Sequence, residues 1–188
     1  LPKASITANI TVRDFVTNDV IPDAPLVFFN PAKKKLAQKT NAGGIAAVRI
    51  VVDSSSYQLV VGKWGYKHTV VPYDLLNPVL NLTVYLKKGY QDDFILDQGW
   101  TVESTAPTGN WVRAEPIGTV SRNQPSQTET DVPGDIGDEC YVTGNNGTDP
   151  SIDDVDDGNT ILTSPLFDVS KYNDPVISYY RWFTNTGG

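Results

Sequence analysis

Short alternations of apolar and polar residues recur along the whole chain and predict an all-β protein. Turn residues separate these runs about every eight to twelve positions, a spacing typical of sandwiches built from short strands. No run has the i, i+3, i+4, i+7 spacing of an amphipathic helix. In the first half the predicted strands cover residues 6–12, 25–30, 45–52, 57–62, 68–72 and 80–86.

Turn chemistry connects the predicted strands of the first half. Pro22 and Asp23 follow the first strand, and Gly43 with Gly44 precedes the run 45–52. Pro presets the backbone angle of a turn, and Gly adopts the conformations that tight turns need. About seven antiparallel strands in about 85 residues describe a small β-sandwich. Strict alternation along a strand gives it one buried face.

Four segments of the first half carry a resemblance to a known family. They are Arg13-Asp14, 17–24, 40–44 and 57–66. In this order they resemble the carboxypeptidase regulatory-like domain, and the resemblance covers roughly residues 4–87. It implies a seven-stranded, transthyretin-like β-sandwich of the kind appended to secreted bacterial proteins.

Five blocks of the second half carry a second resemblance, namely 89–94, 97–102, 109–113, 140–145 and 156–168. In this order they are similar to a different module, the concanavalin-like jelly roll attached to secreted peptidases and surface adhesins. Its relatives include MAM-type and cleaved-adhesin domains, especially in the Bacteroidetes. The resemblance implies a central strand at 176–183 and a partial jelly roll, since such domains continue for several further strands. We therefore expect two domains, 1–88 and 89–188, within a longer protein.

Net charge divides the chain at the same point. The 188 residues sum to −7, but residues 1–88 carry +6 and residues 89–188 carry −13. Between Asn123 and Ser170 there are eleven acidic residues and no Lys or Arg. Such a density of carboxylates makes nucleic acid an unsuitable partner for the second half. No apolar run approaches the eighteen residues of a transmembrane helix, so we expect no membrane span.

The single cysteine and the single histidine narrow the chemistry. They exclude a structural zinc cage built within this chain. A hydrolase triad would have to use His68, which the pattern predicts to be an exposed strand residue. Cys140 is predicted to be a buried free thiol, with a disulfide to residues outside the chain as the alternative. We therefore predict no catalytic residue and no enzyme activity within the chain.

The acidic loop 153–158 favours a cation, because hard cations select oxygen ligands and a glycine permits a tight loop. The spacing of its ligands does not fit an EF-hand. The jelly-roll resemblance implies a calcium site that joins this loop to the acids at the start of the second half. A solvated acidic loop is the alternative, and the sequence leaves both open. The implied calcium ligands are Asp92, Asp93, Asp154, Asp156 and Asp157.

Aromatic residues supply the candidate ligand-binding side chain. Trp64, close to Gly62 and Gly65, is the best candidate for an exposed aromatic ring. Since the C–H faces of sugars pack on aromatic rings, a glycan is one ligand that Trp64 would take. The other aromatic candidates are predicted to pack in the core. They are Tyr90, Trp100, Trp111 and Trp182.

Together these features predict a non-catalytic pair of extracellular accessory or adhesion modules in a longer secreted or cell-surface protein. Its expected partners are other domains of the same protein and a protein or glycan ligand, with calcium stabilising the jelly roll. Two alternatives stay open. The chain would form the appended domains of a secreted zinc carboxypeptidase or other peptidase, with its catalytic domain outside these residues. Alternatively, it would be a structural component of a surface assembly.

Overall fold

The computed structural model describes residues 4–30, 32, 35–52, 56–147 and 150–184. The chain is nearly all β, as the alternation predicts, with a single short helix, α1 (Pro150–Asp153), in the described part. It divides into two compact units, Leu1–Asp92 and Asp93–Gly188, so the division falls four residues beyond the predicted boundary. Among the described residues, no helix is long and apolar enough to cross a membrane.

Unit 1 contains seven strands in one continuous ladder. Their order is β3-β2-β5-β6-β7-β1-β4, and β6 joins β7 through two residue pairs only. The ladder therefore folds into two layers, one of four strands and one of three, as expected of a small sandwich. Each of the six predicted strands is confirmed. The strands are β1 (Ser5–Asp14), β2 (Pro25–Phe29), β3 (Lys35–Lys39), β4 (Ile45–Val51), β5 (Ser56–Lys63), β6 (Tyr66–Asp74) and β7 (Asn81–Lys88).

Two features of unit 1 differ from the prediction. The alternation missed β3, a charged edge strand in which only Leu36 is even partly buried. A strand that covers so little apolar surface carries almost no hydrophobic signal in the sequence. In addition, β1 and β7 pair in parallel, with Val12 opposite Val84, rather than antiparallel. A parallel pair needs a long connection, and here the rest of the unit provides it.

The core of unit 1 lies between its two layers. Phe28 packs edge to face on Tyr73, with ring centroids 5.0 Å apart. The prediction of one buried face per strand fails at β5, because Val60 is as fully buried as its neighbours Leu59 and Val61. Each such side chain contributes about 1.5–3 kcal/mol on full burial. The core also includes Ala8, Ile10, Val12, Leu26, Val48, Ile50, Tyr57, Val84 and Leu86.

A buried hydroxyl links the turns of unit 1. The Thr40 Oγ1 atom accepts a hydrogen bond from the Ala24 N–H at 2.8 Å and donates one to the Ile21 carbonyl at 2.7 Å. These bonds satisfy two main-chain groups that would otherwise be buried without partners. Nearby, Gly44 has φ +71°, and a Cβ there would lie 2.8 Å from the Cβ of Val20. Glycine is therefore required at this turn.

In the described part of unit 2 there are three separate two-stranded antiparallel ladders, which pair β8 with β13, β9 with β12 and β10 with β11. The jelly-roll assignment stays a prediction. The central strand expected at 176–183 is wrong, since the described residues 164–184 contain no strand. A strand needs a neighbour to satisfy its main chain, and none pairs with this segment. The strands are β8 (Thr101–Ser104), β9 (Trp111–Ala114), β10 (Thr119–Ser121), β11 (Gln124–Gln127), β12 (Cys140–Thr143) and β13 (Thr160–Thr163).

Candidate functional site

Trp64, the candidate ligand-binding residue, lies in the β5–β6 hairpin of unit 1. Its ring packs edge to face on Tyr90 at 5.4 Å between centroids, with 60° between the planes. Trp64 is half-buried rather than openly exposed, because Tyr90 covers part of its surface. Its ligand-binding role stays a prediction, restricted to the part of the ring that solvent reaches.

A buried carboxylate near the same hairpin was not foreseen from the sequence. Asp14 is 4% exposed, and its Oδ1 accepts hydrogen bonds from the main-chain N–H groups of Thr17 and Val16 at 3.1 and 2.8 Å. Its Oδ2 accepts one from the Tyr66 hydroxyl at 3.0 Å and lies 3.6 Å from the Lys88 Nζ. The bonds from Thr17 and Val16 lower the pKa of Asp14. This network ties the ends of β1, β6 and β7 together.

The lysine of this network is held as a cation. Its Nζ bonds to the Tyr66 hydroxyl and lies 3.9 Å from the centroid of the Tyr66 ring. The bond to Tyr66 and the charge of Asp14 raise the pKa of Lys88. The protonated form of Lys88 is therefore favoured, and its charge helps to hold the buried carboxylate of Asp14.

The only cysteine is unsuited to nucleophilic chemistry. Cys140 lies in β12 of unit 2 as a free cysteine, half-buried rather than fully buried as predicted. Burial, with the nearby Asp131 and Asp135, raises the pKa of Cys140 to about 12. The thiolate is the reactive form, and almost none is present at neutral pH. His68, half-buried in β6, belongs to unit 1.

Three acids in unit 2 influence one another. Burial, and the charges of Asp131 and Asp93, raise the pKa of Asp135 to about 7. The Asp131 side chain is hydrogen-bonded to Asp135, which adds to the rise in that pKa, and the Asp93 Oδ2 accepts from the Ile136 N–H at 3.3 Å. Asp131 and Asp135 were not singled out from the sequence. Their signal was the density of acids without a basic residue.

The proposed calcium ligands do not form a metal-binding group. Asp156 and Asp157 are exposed, and Asp154 is half-buried, with no hydrogen bond to its Oδ1 from any described residue. Within the described residues, no three or more His, Cys, Asp or Glu side chains are grouped so that they could hold a metal ion. Asp92 and Asp93, both half-buried, are therefore not part of such a group either. The calcium site therefore stays a prediction.

One acid of the same loop has a structural role instead. Asp153, in α1, is buried, and its carboxylate accepts hydrogen bonds from the Asn146 N–H, the Asn146 Nδ2 and the Gly147 N–H. The distances are 2.8, 2.8 and 3.3 Å. These bonds fix the segment that follows β12 against the helix, so this carboxylate is occupied by the fold.

The remaining aromatic predictions have mixed outcomes. Trp100 packs with Phe94 and Tyr141 at 5.5 and 5.9 Å between ring centroids, which confirms its packing role. Trp111 is half-buried, and its Nε1 donates to the Thr160 carbonyl at 3.3 Å. Trp182 is 57% exposed, so the prediction that it packs in the core is wrong. Since residues 176–183 form no strand, no sheet buries it.

An open cleft of about 410 Å³ lies where the chain enters β9 and leaves β12. The Gly144 N–H donates to the Asn110 carbonyl at 2.9 Å and holds the two segments together. Gly109 has φ +66°, and a Cβ there would lie 2.3 Å from the Asp154 carbonyl oxygen, so only glycine fits. The sequence analysis did not find this cleft. Its signals were the turn-rich runs 107–110 and 144–147.

Comparison with known proteins gives only distant likeness. No protein-family model matches the chain. No curated protein matches it. Among solved structures, the C-terminal domain of the shaft pilin spaA from Lactobacillus rhamnosus GG is similar with a TM-score of 0.37 and 10% identity, over 46% of this chain and 100% of that chain. The Bacillus anthracis TIE protein is similar with a TM-score of 0.38 and 13% identity, over 77% of this chain and 32% of that chain. Similarity at this level assigns no function.

Proposed function

We propose that this chain is a non-catalytic pair of extracellular β modules within a longer secreted or cell-surface protein. The division of the chain into two all-β units carries the proposal. Burial and two neighbouring acids also raise the pKa of Cys140, the only cysteine of the sequence, to about 12, which disfavours the reactive thiolate. The polar network of unit 1 points the same way. Asp14, Tyr66 and Lys88 use their polar atoms on one another and on the main chain.

The role of such a module is recognition rather than turnover. Unit 1 supplies a rigid sandwich that presents Trp64 at a hairpin, and unit 2 presents loops on short ladders. Loops on a rigid scaffold are common positions for binding residues. A protein or glycan ligand is therefore the expected partner.

An array of glycans and extracellular proteins, together with a panel of peptidase and glycosidase substrates, tests this function. We expect binding on the array and no turnover by the intact chain. Trp64→Ala should weaken binding if the hairpin contributes to it, whereas Trp182→Ala is the matched control, an exposed tryptophan of unit 2. Turnover that disappears in His68→Ala or Cys140→Ser would contradict the proposal.

Calcium stabilisation of unit 2 is the second part of the proposal. Its support is the run of eleven acids without a Lys or Arg between Asn123 and Ser170, and the unpartnered Oδ1 of Asp154. Binding would require the acidic loop to rearrange or to use main-chain oxygens, because the described residues contain no preformed group of three or more acidic, His or Cys ligands.

Thermal unfolding of a chelator-treated sample tests calcium directly. A hundredfold excess over Kd adds about 2.7 kcal/mol to the native state, which raises the melting temperature by several degrees. Sodium chloride at the same ionic strength controls for screening. If salt alone gives the shift, or if it survives Asp154→Asn with Asp156→Asn, the loop is a solvated acidic surface.

A further inference from the structure

The cleft of unit 2 offers polar groups that the fold itself leaves unused. The Asn110 side chain is exposed and makes no hydrogen bond within the described part of the chain. The Thr108 Oγ1 is buried and has no partner there. The Asn146 Nδ2 is bonded to Asp153, but its Oδ1 accepts no hydrogen bond from a described residue. A buried hydroxyl without a partner costs free energy, so Thr108 indicates a site that a ligand or solvent completes.

The residues beneath these groups are fully engaged and hold the cleft in shape. Asn145 accepts hydrogen bonds from the Ile117 N–H at 2.9 Å and the Gln127 Nε2 at 2.8 Å, and it donates to the Glu115 carbonyl at 2.8 Å. Asp153 is likewise occupied by the segment after β12. The unused groups are therefore presented by a wall that is already fixed, which lowers the entropy cost of binding.

The lining limits what the cleft can take. It contains no charged side chain, and unit 2 carries a large excess of acids, so an anionic ligand is disfavoured. Asn110 supplies donors and an acceptor, Thr108 supplies both, and the Oδ1 of Asn146 supplies an acceptor. Val112 and Ile152 add exposed aliphatic surface beside them. The complementary ligand is neutral and carries groups that both donate and accept, next to C–H surface.

We propose that this cleft binds a neutral saccharide unit. Each sugar hydroxyl can both donate and accept a hydrogen bond, which matches the polar groups of Thr108 and Asn110. The C–H faces of the sugar ring match the aliphatic side chains of Val112 and Ile152. A peptide main chain fits less well, because the Asn110 carbonyl next to β9 already accepts from Gly144. The volume lies within the range of small-molecule sites. The inference rests on the proposed recognition function and names its ligand class and its site, separate from Trp64.

Titration of the 15N-labelled full chain tests the inference residue by residue. The probes are methyl α-mannoside, methyl β-galactoside and N-acetylglucosamine, each raised to tens of millimolar, with triglycine as the peptide probe. We expect at least one sugar to shift the amide signals of Gly109, Asn110 and Gly144. Asn110→Ala and Thr108→Val should each weaken that binding about three- to tenfold, the value of one hydrogen bond.

Matched variants make each outcome decisive. Asn173→Ala removes another exposed amide of unit 2 and should leave binding unchanged. Thr108→Val keeps the shape of a side chain whose hydroxyl has no partner, so it tests the site without loss of a fold contact. Three outcomes would overturn the proposal that the cleft binds a saccharide. They are no shift with any sugar, shifts with triglycine alone, and sugar binding that is unchanged in both variants. Array binding that persists in those variants leaves the proposed function standing, whereas hydrolase turnover ends that function whatever the titration gives.

Discussion

The two units are both β but are held together in different ways. Among the described residues, unit 1 has a cluster of seventeen buried core residues between its two layers, whereas the buried apolar side chains of unit 2 are Ile95, Leu96, Ala106, Pro116 and Val142. Unit 2 instead relies on hydrogen bonds between loops, such as those of Asp153 and Asn145. An apolar core makes a unit insensitive to its loops. A unit ordered by polar bonds presents more of its chemistry at the surface.

The carboxylates show the same contrast. Asp14 of unit 1 is surrounded by donors, which lower its pKa. Asp135 of unit 2 lies near Asp131 and Asp93, and burial together with these acids raises its pKa to about 7. One unit therefore uses a buried charge to join strand ends. The other unit places acidic side chains close together, where the charge of each disfavours ionisation of its neighbours.

The strongest test of the comparison is a matched pair of core truncations. Ile50 in β4 is fully buried, and Ile95 of unit 2 is 5% exposed. Ile50→Ala should cost about 4 kcal/mol, because it leaves a cavity in a close-packed sandwich, and Ile95→Ala about 2 kcal/mol, because its surroundings can collapse. Hydrogen exchange under denaturant, resolved by unit, measures both. Equal losses would mean that unit 2 has a core as firm as that of unit 1.

The buried hydroxyl of unit 1 gives the next largest effect. Thr40→Val keeps the shape of the side chain but leaves the Ala24 N–H and the Ile21 carbonyl without partners. We expect a loss of about 2 kcal/mol in urea unfolding. Thr40→Ser retains the hydroxyl and is the control that isolates the hydrogen bonds. If the Val variant is as stable as the Ser variant, the hydrogen bonds of the Thr40 hydroxyl do not stabilise unit 1.

Acidity should act on the two units in opposite directions. The pKa of Asp135 is raised to about 7 in the folded state. Its contribution to the stability of unit 2 is therefore complete below pH 3.8, the ordinary pKa of an aspartate, and is lost as the pH rises through about 7. Unit 2 should thus become less stable from pH 4 to pH 8. Asp135→Asn should flatten that profile, and Asp174→Asn, at an exposed acid, should not. An unchanged profile in Asp135→Asn would show that the acid cluster does not govern unit 2.

The pKa of Asp14 is lowered in the folded state, so the sign reverses for unit 1. The contribution of the ionised Asp14 to the stability of unit 1 is complete above pH 3.8, the ordinary pKa of an aspartate. It is lost as the pH falls through the lower pKa that Asp14 has in the folded state. Unit 1 should therefore lose stability only below about pH 4. Asp14→Asn should lower its melting temperature by several degrees at pH 7 and remove part of the acid transition. Hydrogen exchange resolved by unit distinguishes this transition from that of unit 2.

Sequence alone predicted unit 1 better than unit 2 for a physical reason. Alternation reports burial of one strand face, so it identified β1, β2 and β4–β7, which line the core, and missed β3, which contacts the core only through Leu36. In unit 2 the ladders are four residues or shorter, and side-chain bonds such as those of Asp153 set their positions. Such bonds join residues through space and leave no period in the sequence. The cleft was missed for the same reason, because its groups come from two turns and a helix.

The smallest expected effect concerns the exposed segment 176–183. Trp182 is 57% exposed and makes one hydrogen bond, from its Nε1 to the Ser126 carbonyl at 3.1 Å. Trp182→Ala should therefore change the stability of unit 2 by no more than about 1 kcal/mol, close to the range for surface sites. Tyr180→Ala, at a still more exposed position, should change it by less. A loss of 3 kcal/mol or more, about the value for a buried Trp, would mean that this segment packs as the central strand the jelly-roll resemblance implied, and the contrast between the units would narrow.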